Sequence, residues 1–211
     1  MKLDFVSDIA CPWCAIGLHS LERALERIGD DFPVEVRIQP FELNPKLPAA
    51  GADTGEYLAK KYGLTPAQIE ESRAMLRERG AAVGFTFGER QRIWNTFDAH
   101  RLLHWAGLEG RQRPLKHALL RAYHGEGRNV GDADVLLDLA REVGLDVERA
   151  RAVVTSDEFA EDVRKAELFW QKAGITSVPS VVLNDRHLIQ GGQSPEVFEQ
   201  ALRQIASQRA G

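Results

Sequence analysis

Cysteine is almost missing from this chain of 211 residues. It has two, Cys11 and Cys14, both within the first fourteen positions. A closed zinc site commonly takes four protein ligands, and no second cysteine pair is present to complete one. Six histidines are dispersed along the chain. His100 and His104 lie four apart on a predicted helix, but no carboxylate stands beside them at metal spacing, so no metal is expected. No stretch reaches the ~18 apolar residues of a membrane span, so no membrane partner is expected. Positive charge is not in excess: the formal net charge is −4. That leaves no basic field to hold nucleic acid. Internal repeats and low-complexity segments are absent. So is a basic region followed by an apolar run at the N-terminus. No secretory signal is predicted, and a cytoplasmic location is expected. Structural disulfides are rare in that reducing setting, so the cysteine pair needs another purpose.

What is present is ordinary for a globular chain: 44% hydrophobic and 27% charged residues. The length allows a core that needs no staples. Lys2 to Ser7 reads as a strand. Cys14, Leu18, Leu21, Leu25 and Ile28 then recur at helical steps, with Gly29 as the stop. Pro12 suits the first turn of that helix, which puts Cys11 at its N-terminus and Cys14 at the head of its buried stripe. Val34, Val36 and Ile38 alternate with polar residues as a second strand, near prolines that mark an edge or strand ends. From about Thr54 to Trp170 the pattern is helical. Thr65, Asp132 and Ser156 are its predicted N-caps, and Gly63, Gly144 and Gly174 its stops. Trp94, Trp105 and Trp170 are assigned to core. Trp13 has little core to enter. The tail reads as a strand from Pro179 to Leu183, a turn over Asn184–Arg186 and a return strand His187–Gln190. A helix capped by Ser194 and Pro195 closes it.

A strand followed by Cys-x-x-Cys at a helix start, inside a crossover unit, is the setting for dithiol redox chemistry. Free N–H groups and the positive dipole end favour a thiolate there. Cys11 is the predicted nucleophile, and Cys14, one turn deeper, is the predicted resolving thiol.

Cys11-Pro12-Trp13-Cys14, with Ile16-Gly17 and the distant Ser177-Val178-Pro179-Ser180, resembles the DsbA-type branch of the thioredoxin superfamily. Three further stretches resemble its FrnE-like cytosolic group: Phe41-Glu42-Leu43-Asn44-Pro45, Asn95 to Arg101, and Gly191-Gly192-Gln193-Ser194-Pro195. The resemblance implies an α/β thioredoxin-like fold built from residues 1–45 and 160–211, with an all-helical domain of 46–159 inserted. It implies a thiol–disulfide oxidoreductase acting on protein or small-molecule thiols and disulfides. No cofactor is implied beyond the Cys11–Cys14 couple, with glutathione as a candidate reductant, and no oligomeric state is specified. It also implies a cis Val178–Pro179 bond packed against the cysteines, where the Val178 backbone would receive substrate as an added strand. Pro12 and Trp13 would shape the same mouth.

One departure stands out. Such proteins often bury an acid six residues before the nucleophile, and that position here is Phe5. Asp4 and Asp8 are the candidates for proton transfer in its stead. Asp4 reads more readily as a solvated surface acid. For Asp8, just ahead of the active loop, the two readings are balanced. Asn95 or Thr96 is expected to cap the following helix, while the resemblance implies that Asn95 and His100 face the cysteines. Two rival readings remain. Kappa-type glutathione transferases and 2-hydroxychromene-2-carboxylate isomerases share the architecture, but they usually carry serine where Cys11 stands, so the intact pair counts against them. A non-catalytic binding module that retains the fold is the other.

Overall fold

The computed structural model describes residues 1–208. The chain opens with β1 (Lys2–Ser7), α1 (Pro12–Ile28) and β2 (Glu35–Pro40). There follow β3 (Ala52–Asp53), α2 (Thr54–Tyr62), α3 (Pro66–Val83), β4 (Arg92–Ile93), α4 (Phe97–Leu108) and α5 (Gln112–Leu120). A π turn over Arg121–Gly125 leads to α6 (Ala133–Glu142), α7 (Val147–Val154) and α8 (Ala160–Lys172). The chain closes with β5 (Ser180–Leu183), β6 (His187–Gln190) and α9 (Pro195–Ser207). Among the described residues, no helix is long and apolar enough to cross a membrane.

The main sheet has four strands in the order β2-β1-β5-β6. β1 and β2 run parallel, with Phe5 opposite Ile38, so the connection through α1 is a crossover. β5 is antiparallel to β1 and to β6. β1 is thus central and covered on both faces, which is why every residue from Leu3 to Ser7 is buried. In the β5–β6 turn, Asn184 and Asp185 take φ of 52° and 58°, a region these two residues tolerate better than most. The β2 edge is covered in an unusual way. The side-chain amide of Gln112, on α5, accepts from the Ile38 N–H and donates to the Ile38 carbonyl, each at 3.1 Å.

Two hydrophobic clusters organise the molecule. One gathers Leu3, Phe5, Leu18, Leu21, Phe198 and Leu202 between the sheet, α1 and α9. The other gathers Leu102, Trp105, Leu119, Tyr123, Leu136 and Leu139 among the inserted helices. Ile9, in the loop after β1, belongs to the second cluster, so the active loop is anchored in the helical part. Trp170 packs with Val6, Phe41 and Ile175 in a smaller third group.

Several expectations need correction. The inserted region is not all helix, since β3 and β4 form a short antiparallel ribbon. Two residues per strand are too few to show a period of two. Ser156 is not a helix N-cap. Its hydroxyl accepts from the Glu158 N–H within a turn, and α8 starts only after Phe159, which takes a φ of 61°. Arg101 fastens that turn by donating to the backbone carbonyls of Val153, Ser156 and Glu158. Trp94 is half-buried at the side of the helical core, with Arg92 over its ring. Thr65 makes the full capping box with Gln68, and Asp132 caps α6.

At Gly17 α1 comes close to the cis Val178–Pro179 segment. A Cβ there would lie 3.0 Å from Pro179 Cγ and 3.4 Å from the Gly192 Cα. The overlap exceeds what helix propensity alone could offset. Gly17→Val should therefore destabilise the fold by about 2 kcal/mol. In a chain of this size that lowers the melting temperature by roughly 4–8 °C. Thermal unfolding followed by circular dichroism checks it, and an unchanged midpoint would show that the contact is loose.

Candidate active site

Cys11 is the N-cap of α1, with extended backbone (φ −86°, ψ 114°) and Pro12 at the first helical position. Its side chain does not cap the helix. It points instead toward the strand ends, where its thiol lies 3.5 Å from the Val178 carbonyl and donates to it. The Cys14 N–H donates to the Cys11 carbonyl at 3.1 Å, the first bond of the helix. Both cysteines are free thiols. Cys11 retains 4% exposure and Cys14 none. Burial pushes the Cys14 thiol well above its ordinary range, and the neighbouring Cys11 pushes the same way. Lys116 and the Asp8 backbone pull it back in part.

Cys11 opens onto a cavity of about 440 Å³ between the sheet and the inserted helices. Trp13, Tyr57, Leu76, Phe87 and Val178 are among its walls. The Arg79 guanidinium lies 5.5 Å over the Trp13 ring. The size suits a side chain or a small organic group, and most of the wall is apolar. Further back, His124 donates from Nε2 to the Ile9 carbonyl at 2.8 Å, and burial holds it neutral.

Beneath the loop sits Asp8, fully buried. Its Oδ1 accepts from the Ala10 N–H at 3.1 Å, the Thr96 hydroxyl at 2.8 Å and His100 Nε2 at 3.3 Å. Its Oδ2 accepts from the Leu43 N–H at 2.7 Å. Burial pushes the carboxyl up, but His100, the Leu43 N–H and Thr96 together outweigh it and hold Asp8 below the usual carboxylate range. Four donors and a depressed pKa make a fixed anion, which is poorly suited to shuttling protons near neutrality.

Asp4, read as a surface acid, is in fact buried. Its carboxylate takes a hydrogen bond from Gln39 at 2.6 Å and lies 3.2 Å from the Lys2 ammonium. Those partners sit along β1 and β2, not at the cysteines. Asn95 spends both ends of its amide on backbone groups other than those of the cysteines. It accepts from the Phe97 N–H at 2.9 Å and donates to the Leu47 carbonyl at 3.1 Å. So Asn95, not Thr96, satisfies an N–H of the first turn of α4. His100 does face the active loop, through Asp8. His104 stacks instead against Phe159, so the two histidines diverge. Among the described residues, no group of three or more His, Cys, Asp or Glu side chains is placed to hold a metal ion.

Two features were missed from sequence. One is a buried acidic pair, Glu42 and Glu167, bridged by Arg164, whose guanidinium lies 3.7 Å over Phe97. Glu42 lies in the stretch Phe41–Pro45, but its partners come from α8, more than a hundred residues away. The other is Lys116, fully buried on α5. The cue for it was a lysine four residues before Leu120, sharing that leucine's helical face.

A dithiol at a helix N-terminus beside a Val–Pro segment, on this sheet with this helical insertion, is the apparatus of a thiol–disulfide oxidoreductase. The chain belongs to the DSBA-like thioredoxin domain family, whose model matches residues 2–203. It is similar to a probable DsbA oxidoreductase of Streptomyces coelicolor, with 36% identity, a TM-score of 0.93, and coverage of 98% of this chain and 90% of that one. It is also similar to YwbO, an uncharacterized protein of Bacillus subtilis, at 29% identity over 93% of this chain and 92% of the other. A 2-hydroxychromene-2-carboxylate isomerase shares the fold, with a TM-score of 0.74, 15% identity, and coverage of 100% of this chain and 98% of that one.

Two outcomes follow from the buried carboxyls. Asp8→Ala leaves the Leu43 and Ala10 N–H groups and the Thr96 hydroxyl without their acceptor. It should cost about 3 kcal/mol or more, a fall in melting temperature of roughly 6–12 °C. A loss under half of that would mean that water replaces the carboxylate. Glu42 behaves in the opposite sense to Asp8. Burial and the nearby Glu167 push it up to about 7, against Arg164 and His100. The folded state therefore holds the Glu42 proton more tightly than the unfolded chain. That contribution is fully present below the ordinary glutamate value and is lost as pH rises through about 7. Glu42→Gln cannot titrate. The stability of the wild type relative to this variant should accordingly fall between pH 5 and pH 8, and a constant difference in melting temperature would contradict the assignment.

Proposed function

We propose that the chain exchanges disulfides through a division of labour between its cysteines. Cys11 attacks and Cys14 resolves. The observation that carries this reading is the contrast in placement. Cys11 sits at the helix end and borders the cavity, while Cys14 is sealed beneath it. In the first step the Cys11 thiolate attacks one sulfur of a substrate disulfide, and the other sulfur leaves as a thiolate. In the second, Cys14 attacks Cys11 Sγ and frees the rest of the substrate. The dithiol loses two electrons and two protons, and the substrate gains them. Run backward, the same steps oxidise a substrate dithiol.

Pro12, Trp13, Val178 and Pro179 shape the mouth. Val178 offers its backbone to an extended substrate chain, and the apolar cavity takes the flanking side chain. We favour protein or peptide substrates on this ground. We place the chain in the FrnE-like group because two of the three stretches that resemble it, Phe41–Pro45 and Asn95–Arg101, meet at Asp8 through Leu43, Thr96 and His100.

The test is a trap. Cys14→Ser should accumulate stable mixed disulfides on Cys11, and Cys11→Ser should accumulate none. The wild type should reduce a model protein disulfide with dithiothreitol as the terminal reductant. A Cys14→Ser protein that captures nothing, beside a wild type inert toward disulfides but binding glutathione tightly, would replace this reading with the glutathione-dependent one.

A further inference from the structure

Lys116 has no part in the scheme so far, yet it is fully buried, and among the described residues its Nζ has no hydrogen-bond partner. An ammonium placed so costs several kcal/mol unless another charge holds it. Its place in the fold narrows the choice. Leu115, Ala118 and Leu119 beside it pack into the helical core, whereas Leu120 packs with Ala15 and Leu18 of α1. Residues four apart share a helical face, so Lys116 and Leu120 are turned to the same side, toward the base of α1. The ionisable groups that act on the Lys116 charge are Cys14 on α1, Cys11 at its N-cap and Asp8 in the loop before it. His124 of the π turn also feels it, and is held neutral by burial. Burial lowers the Lys116 ammonium, and Cys14, Asp8 and Cys11 counter that drop. Phe5, six residues before Cys11, offers no titratable group.

We propose that Lys116 stabilises the Cys14 thiolate at the resolving step, so that a cation from the helical insertion sets how readily Cys14 ionises. The inference rests on the dithiol exchange proposed above. With substrate joined to Cys11, Cys14 gives up its proton and its thiolate attacks Cys11 Sγ. The Cys11–Cys14 bond forms and the Cys11–substrate bond breaks. The departing thiolate takes up the proton that Cys14 lost. The dithiol has been oxidised, the substrate reduced, and Lys116 keeps Asp8 as a countercharge. Before the step both Cys14 and Asp8 act on Lys116, and Asp8 favours its charged form.

The experiment uses the full chain and an aromatic disulfide that releases a coloured thiolate at each exchange, followed by stopped flow. Wild type should show two releases, the first from attack by Cys11 and the second from resolution by Cys14. Lys116→Met should slow the second about tenfold or more at neutral pH and raise the pH midpoint of that phase, leaving the first phase within about threefold. Lys116→Arg, which keeps the charge, should recover part of the loss. A second phase in Lys116→Met with unchanged rate and pH midpoint would overturn the inference while leaving the exchange reading intact. A wild type without a second phase would overturn both. Should Lys116→Met fail to fold, Cys11→Ser serves instead. There the Lys116 side-chain carbon resonance, followed by NMR, should shift at the pH where Cys14 thiolate absorbance rises. A resonance that ignores the Cys14 transition also refutes the role.

Discussion

The buried carboxylate of Asp8 is the constraint on which the active loop depends. It takes hydrogen bonds from three separate segments: the loop after β1, the chain leaving β2, and the start of α4. A carboxylate stripped of water needs such donors, and donors stripped of water need such an acceptor. Neither side of the arrangement is stable without the other. The sheet and the helical insertion are therefore joined within three residues of Cys11. The apolar side chain of Ile9 adds to this by burying itself in the insertion's own core. The loop that presents the thiol is held from below by charge and from the side by packing.

The acidic pair lies in the same layer. Glu42 directly precedes Leu43, whose N–H serves Asp8, and Arg164 brings α8 against it. His100 feels both ends, as the donor to Asp8 and as a neighbouring charge for Glu42. The polar groups beneath the cysteines are thus one connected system, and a change in the charge of any member is felt by the others. The same low dielectric that strengthens these contacts keeps Cys14 protonated at rest.

How much of this could be read from the chain depended on distance along it. The strand, the Cys-x-x-Cys helix start, the second strand and the closing hairpin rest on neighbours a few residues apart. Local pattern was enough for them, down to the cap at Ser194 and the turn at Asn184. Asp4 misled because an acid in a strand is usually wet. Here both faces of β1 are covered, and Gln39 and Lys2 close over it. The paired roles of Asp8 and His100 are invisible without the fold, since ninety-two positions separate them. Lys116 shares the helical face of Leu120, but only the fold shows that this face is turned inward.

Gln112 carries a consequence beyond the site. An outer strand with bare N–H and C=O groups is a template on which another chain can add itself. At Ile38 the two groups are already satisfied by a side-chain amide that presents one acceptor and one donor, as the backbone of an added strand would. The amide comes from the inserted helices, so the insertion that walls the cavity also closes this flank of the sheet. Edge-to-edge self-association along β2 would have to break two hydrogen bonds at Ile38 before making any. At Ile38 the helical insertion thus occupies the groups that an added strand would use, a contact separate from any it makes toward substrate.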